Sequence, residues 1–102
     1  MKKRIKVADL PTFDPVPYLS SAQAIAAYLT DVLAANDAGL LAAALGDIAR
    51  ARGMTEIAKA TGITREALYK ALRPGSEPRL DTVNRVCAAL GVRLVAQPVH
   101  TA

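Results

Sequence analysis

Apolar residues recur at steps of three and four along most of this chain, and glycines interrupt the pattern at intervals. In "SSAQAIAAYLTDVLAAN" the stripe is Ile25, Leu29 and Val32 with Tyr28, the spacing of an amphipathic helix. Ser20 or Ser21 is placed to cap it, and it should stop near Asn36. Asp37 can then cap a second helix over "AGLLAAALGDIARARG", where Leu41, Ala44, Leu45, Ile48 and Ala49 are spaced for burial. Arg50 and Arg52 fall near its C-terminal end, where positive charge is favoured, and Gly53 is a natural stop. So short a connection predicts that the two helices pack on each other.

"TEIAKATGITREALYKAL" (residues 55–72) continues the helical spacing with Ile57, Ala58, Ile63, Leu68 and Leu72, yet Gly62 stands in its middle. There it costs an unbroken helix about 1 kcal/mol relative to alanine. The glycine is accounted for if the chain reverses: a helix from about Met54 to Thr61 ends with Gly62 in the left-handed conformation, and the Thr64 hydroxyl caps a second helix through about Leu72. Ala58 is small where two helices would cross, Ile63 is apolar where the turn enters the core, and Leu68 lies on the buried side of the second helix. The pattern predicts a helix-turn-helix at about 54–72. After the loop "RPGSEPR", "LDTVNRVCAALG" predicts a last helix with Leu80, Val83, Val86, Cys87 and Leu90 inward and Gly91 as its stop.

The ends read differently. Residues 1–20 hold Pro11, Pro15 and Pro17, three of the six prolines, and form an extended N-terminal arm with at most a brief strand in "RIKVA". Residues 92–102 form a C-terminal strand or tail, because Val92, Leu94 and Ala96 alternate with Arg93, Val95 and Gln97 until Pro98. Residues 21–91 between them are one helical domain. With 52% hydrophobic residues but 4% aromatic, the core must be aliphatic and rich in alanine. That composition suits close-packed helices, and the expected class is all-α.

Composition narrows the chemistry. No run nears the roughly 18 apolar residues of a membrane span, and "MKKRIK" leads into Asp9, Pro11 and Asp14 instead of a signal sequence, so a soluble, cytoplasmic protein is expected. Cys87 is a lone cysteine on a helical face with Val83 and Leu90, a core thiol; His100 lies in the tail. There is no Cys/His or Ser/His pairing, phosphate-cradling glycine loop or metal-ligand spacing. No enzyme, cofactor or metal is expected.

Net charge is +4, unevenly spread. Lys2, Lys3, Arg4 and Lys6 make a basic tip, residues 7–49 contain five aspartates and no Lys or Arg, and Arg50 to Arg79 carry seven basic residues against three glutamates. A mildly acidic half joined to a basic one predicts two surfaces for two kinds of partner. On the second helix of the predicted motif, Thr64, Arg65, Glu66, Tyr69, Lys70 and Arg73 point away from Leu68 and Leu72. Such a helix enters the DNA major groove, where Arg or Lys makes paired hydrogen bonds to guanine. Arg65 and Lys70 are the expected base readers. Glu66 accepts from cytosine N4 or orients Arg65, and Thr55, Lys59, Tyr69 and Arg73 touch phosphates. Arg79 is a weaker candidate.

"GDIARARGMTEIAKATGITREALYKAL" with "PRLDTVNRVCAALGVRL" resembles the addiction-module antidote proteins, a branch of the phage-repressor-like helix-turn-helix superfamily close to the HigA antitoxins. The likeness runs from about Asp14 to Leu94, includes "FDPVPYL" and "AYL", and is most specific in "IARARGM" and "REALYKAL". It implies a five-helix domain that dimerises, binds a palindromic operator in its own promoter and neutralises a RelE/ParE-like toxin of the HigB type. The family's recognition-helix pattern falls on Thr64, Arg65, Glu66, Leu68, Tyr69 and Lys70; Glu77-Pro78 stands where relatives often have Asn-Pro. For the toxin, the arm and first helix are the expected surface, with Phe13, Asp14 and Tyr18 as anchors and Tyr28 assigned to the core. A free-standing prophage-type repressor without a toxin is the alternative, and a third reading makes the motif a protein-interaction module that no longer binds DNA.

Overall fold

A computed structural model describes residues 21–99, which form five helices and no strand. The expectations placed on the N-terminal arm, including the toxin anchors Phe13, Asp14 and Tyr18, and on His100 fall outside these residues. Helix α1 (Ala22–Ala34) begins where the Ser21 hydroxyl accepts the Ala24 N–H at 3.1 Å. Helix α2 (Ala38–Arg52) begins where the Asp37 carboxylate accepts from Gly39 and Leu40 at 2.9 and 3.2 Å. Asn36, at φ 55°, makes the turn between them, a backbone region that asparagine tolerates better than most residues. Gly53 alone separates α2 from α3 (Met54–Thr61), and Gly62 to Thr64 separate α3 from α4 (Arg65–Ala71). Helix α5 (Leu80–Ala89) closes the series.

Helix α3 lies at the centre of the packing, in contact with α2, α4 and α5, while α1 rests on α2. The core is the aliphatic one that the composition requires: Ile25 and Leu29 of α1, Leu45 and Ile48 of α2, Ile57 of α3, Leu68 of α4, and Val86 and Cys87 of α5, closed by Leu72 and Leu90. Each such side chain contributes about 1.5–3 kcal/mol by leaving water, before conformational entropy is set against it. Ala58 and Ile63 are half-buried against this cluster, and Tyr28 packs on it from α1. Burial pushes the Cys87 thiol above its ordinary pKa by desolvating the thiolate.

One expectation is corrected and one is narrowed. Leu80 was assigned inward but is 67% exposed. It is the first residue of α5, and burial on this helical face begins only at Val83, one turn on. Of the two readings given for the segment after Gly91, strand or tail, the described residues take the tail: they join no ladder with one another or with the helices, although Val92 and Leu94 are half-buried against the core.

Two glycines set the position of α4, for different reasons. Gly62 is left-handed (φ 74°, ψ 14°), and its N–H donates to the Ala58 carbonyl at 2.9 Å. A Cβ there would meet nothing within 4 Å, so the backbone conformation alone requires the glycine. Gly46, in the middle of α2, is ordinary in conformation but has no space: a Cβ would lie 2.7 Å from the Leu72 carbonyl oxygen. The C-terminal end of α4 thus sits directly on the backbone of α2.

Candidate nucleic-acid interface

The bend at Gly62 is held from three sides. Thr61, buried at the end of α3, donates its hydroxyl to the Ile57 carbonyl at 2.8 Å and accepts the Ile63 N–H at 3.2 Å. From α5, Arg85 Nη1 donates to the Thr61 carbonyl at 3.3 Å while its Nε faces Asp81 at the same distance. On the far side the Thr64 hydroxyl accepts the Ala67 N–H at 3.1 Å and fixes the first turn of α4. The last turn is tied down by Ser76, whose hydroxyl donates to the carbonyls of Ala71 and Arg73, both at 2.7 Å.

With Leu68 and Leu72 drawn into the core, the rest of α4 faces out. All eight residues expected to meet DNA are exposed: Thr55 and Lys59 on α3, and Thr64, Arg65, Glu66, Tyr69, Lys70 and Arg73 on or beside α4. The fold brings most of them together. Thr64, Glu66, Tyr69, Lys70 and Arg73 line one open, shallow depression with Ala67. Arg65 joins the group through Tyr69, its Cζ lying 5.7 Å from the centre of the ring. Thr55 and Lys59 do not line the depression.

The charge on this surface is not neutralised from within. Arg50 pairs with Asp47 and Arg85 with Asp81, whereas Lys59, Arg65, Lys70 and Arg73 make no ion pair among the described residues. The two glutamates of the same helices, Glu56 and Glu66, engage none of them. Four cations against two anions leave residues 54–73 with a basic, exposed surface. Glu66 therefore does not orient Arg65 through an ion pair, one of the two roles that the sequence suggested for it. No group of His, Cys, Asp and Glu among the described residues is placed to hold a metal ion, and no described helix is long and apolar enough to cross a membrane.

The residues that support the surface were largely missed from sequence. Gly46 had a signal, since a glycine inside an otherwise good helix invites the question put to Gly62. Thr61, Ser76 and Arg85 had none, because their roles lie in polar contacts that leave no trace in the spacing of apolar residues.

Residues 9–98 match the family model described as "Probable addiction module antidote protein". An uncharacterized protein of Haemophilus influenzae is 43% identical over 88 residues, covering 86% of this chain and 91% of its own. No solved structure matches the chain.

Proposed function

The chain belongs to the probable addiction module antidote protein family, and on that footing we propose that it is the antitoxin of a type II toxin-antitoxin module that also represses its own operon. In this reading α3 and α4 form a phage-repressor-like helix-turn-helix close to that of the HigA antitoxins. Helix α4 lies in the major groove of a palindromic operator, and two copies bind the two half-sites. Arg65 and Lys70 read bases; Thr64, Glu66 and Tyr69 complete the recognition surface; Thr55, Lys59 and Arg73 hold phosphates. The observation that carries the DNA role is the exposed set of Lys59, Arg65, Lys70 and Arg73, none of them paired with a carboxylate, around a helix whose inner face is locked by Leu68. Phosphates are the complementary partner for cations left in that state.

The toxin half of the proposal rests on family membership and on the acidic character of residues 7–49. A RelE/ParE-like toxin of the HigB type acts on RNA and is basic, so aspartates beside apolar anchors at Phe13 and Tyr18, with Asp14 between them, are the complementary surface.

One pair of experiments tests both halves. The protein is co-expressed with the product of the gene beside it; co-purification and relief of growth arrest are expected, and they should be lost on deletion of residues 1–20 while DNA binding survives. In parallel, the full chain is titrated with a duplex from its own promoter at several salt concentrations. Affinity should fall steeply with salt, and Lys59→Ala should flatten the log–log slope by about 1. Salt-independent or absent binding would remove the repressor role, and failure to hold the neighbouring gene product would leave a free-standing regulator.

A further inference from the structure

Arg65 is the first residue of α4 and is exposed. An unrestrained arginine there samples many rotamers, and fixing one of them on binding costs entropy. The neighbouring carboxylate of Glu66 does not restrain it, since consecutive residues of a helix point in different directions and no Arg65–Glu66 ion pair forms among the described residues. Tyr69 stands one turn on, at the i+4 position where helical side chains meet. The guanidinium carbon lies 5.7 Å from the centre of its ring, inside the roughly 6 Å within which the face of an aromatic ring attracts a cation.

We propose that Tyr69 is a positioning residue for Arg65: its ring holds the guanidinium in place before DNA arrives, so that the arginine meets the guanine edge already restrained. The inference rests on the proposed DNA-reading role of α4 and refines it. Tyr69 acts through its ring and through Arg65, in place of the phosphate contact that the sequence suggested. An aromatic ring attracts the cation without taking up its hydrogen bonds, so the N–H donors of the guanidinium stay free for bidentate contact with a base.

The test uses the full chain and duplex DNA with randomised positions, read by sequencing the bound fraction. Wild type should prefer guanine at one position of each half-site, and Arg65→Ala should abolish that preference. Tyr69→Phe, which keeps the ring and loses the hydroxyl, should behave as wild type. Tyr69→Leu should cut the guanine preference about two- to five-fold, with the salt dependence unchanged. Equal weakening of all sequences by Tyr69→Phe and Tyr69→Leu, with a flatter salt slope, would mean a phosphate contact and overturn the proposal. So would a Tyr69→Leu variant with its preference intact. A second measurement needs no DNA: the Arg65 δ protons should show an upfield ring-current shift by NMR that vanishes in Tyr69→Leu, and the absence of that shift in wild type refutes the stack. If wild type shows the shift but binds no duplex, the DNA role of α4 fails, and the positioning role fails with it.

Discussion

Replacing Gly46 with alanine sets two magnitudes against each other. On helix propensity alone, glycine to alanine inside α2 should stabilise the protein by about 0.5–1 kcal/mol. The added methyl, however, would lie 2.7 Å from the Leu72 carbonyl oxygen and 3.2 Å from Arg50 Nη1. The arginine end can swing away. The carbonyl cannot retreat freely, because Leu72 is 1% exposed and its backbone closes α4, where its own N–H is bonded to the Leu68 carbonyl at 2.9 Å. Relief requires α4 to move off α2, and overpacking of this kind costs about 1–3 kcal/mol. Subtracting the propensity gain leaves a net destabilisation of roughly 1 kcal/mol, within limits of about 0 and 2.5. For a domain of this size that lowers Tm by about 4–8 °C per kcal/mol. Thermal and urea denaturation followed by circular dichroism reads the change. Because the obstructing atom belongs to the backbone, trimming the Leu72 side chain should not rescue the variant. A Gly46→Ala protein more stable than wild type, showing the propensity gain without the clash, would refute the close approach of α2 and α4 and the account of how α4 is seated.

Gly62 gives the opposite pattern: Gly62→Ala should lose about 1 kcal/mol through the left-handed backbone alone, and Gly62→Asn less than that, because asparagine visits this region more readily; equal losses measured in urea would contradict the conformational explanation. Thr64→Ala should cost about 1 kcal/mol by leaving the Ala67 N–H without its cap, and an unchanged urea midpoint would show that the cap contributes nothing. Since burial raises the Cys87 pKa in the folded state, its contribution to stability is complete below the unfolded thiol's pKa and is lost as pH rises through the folded value. Wild type should therefore lose more stability than Cys87→Ala across the alkaline range, and its thiol should react with a disulfide reagent only as fast as the protein opens; parallel pH profiles would argue against a desolvated thiol.

Much of this architecture was legible because helix boundaries are written in single residues. Ser21, Asp37 and Thr64 provide side-chain oxygens where N–H groups need acceptors, and Gly53, Gly62 and Gly91 carry the positive φ values at the stops. The exposed character of Arg65, Tyr69 and Lys70 followed from the burial of Leu68 and Leu72 by helical geometry alone. What escaped depends on distances between segments remote in sequence. Periodicity assigned Leu80 to the core, since it shares a face with Val83 and Cys87, but it cannot register where the neighbouring elements end. Alternation left the segment after Gly91 open between strand and tail, because a strand also requires a second backbone alongside. At Gly46 the composition could show that something was unusual and not that a carbonyl lay 2.7 Å from the missing methyl. Glu66 looked like the orienting partner of Arg65 because opposite charges were adjacent, whereas the helix turns them apart and brings Tyr69 round instead.

Arg85 stands 24 positions beyond Thr61, yet it grips the carbonyl just ahead of the bend. Residues 54–73 are for that reason no portable cassette. Cut out as a peptide or spliced into a foreign scaffold, they would leave behind the guanidinium that steadies the corner and the α2 backbone that seats the far end, and helices of eight and seven residues are too short to persist unaided. Redesign of the exposed positions of α4 has to be carried out in the whole domain, with α2 and α5 kept as its frame.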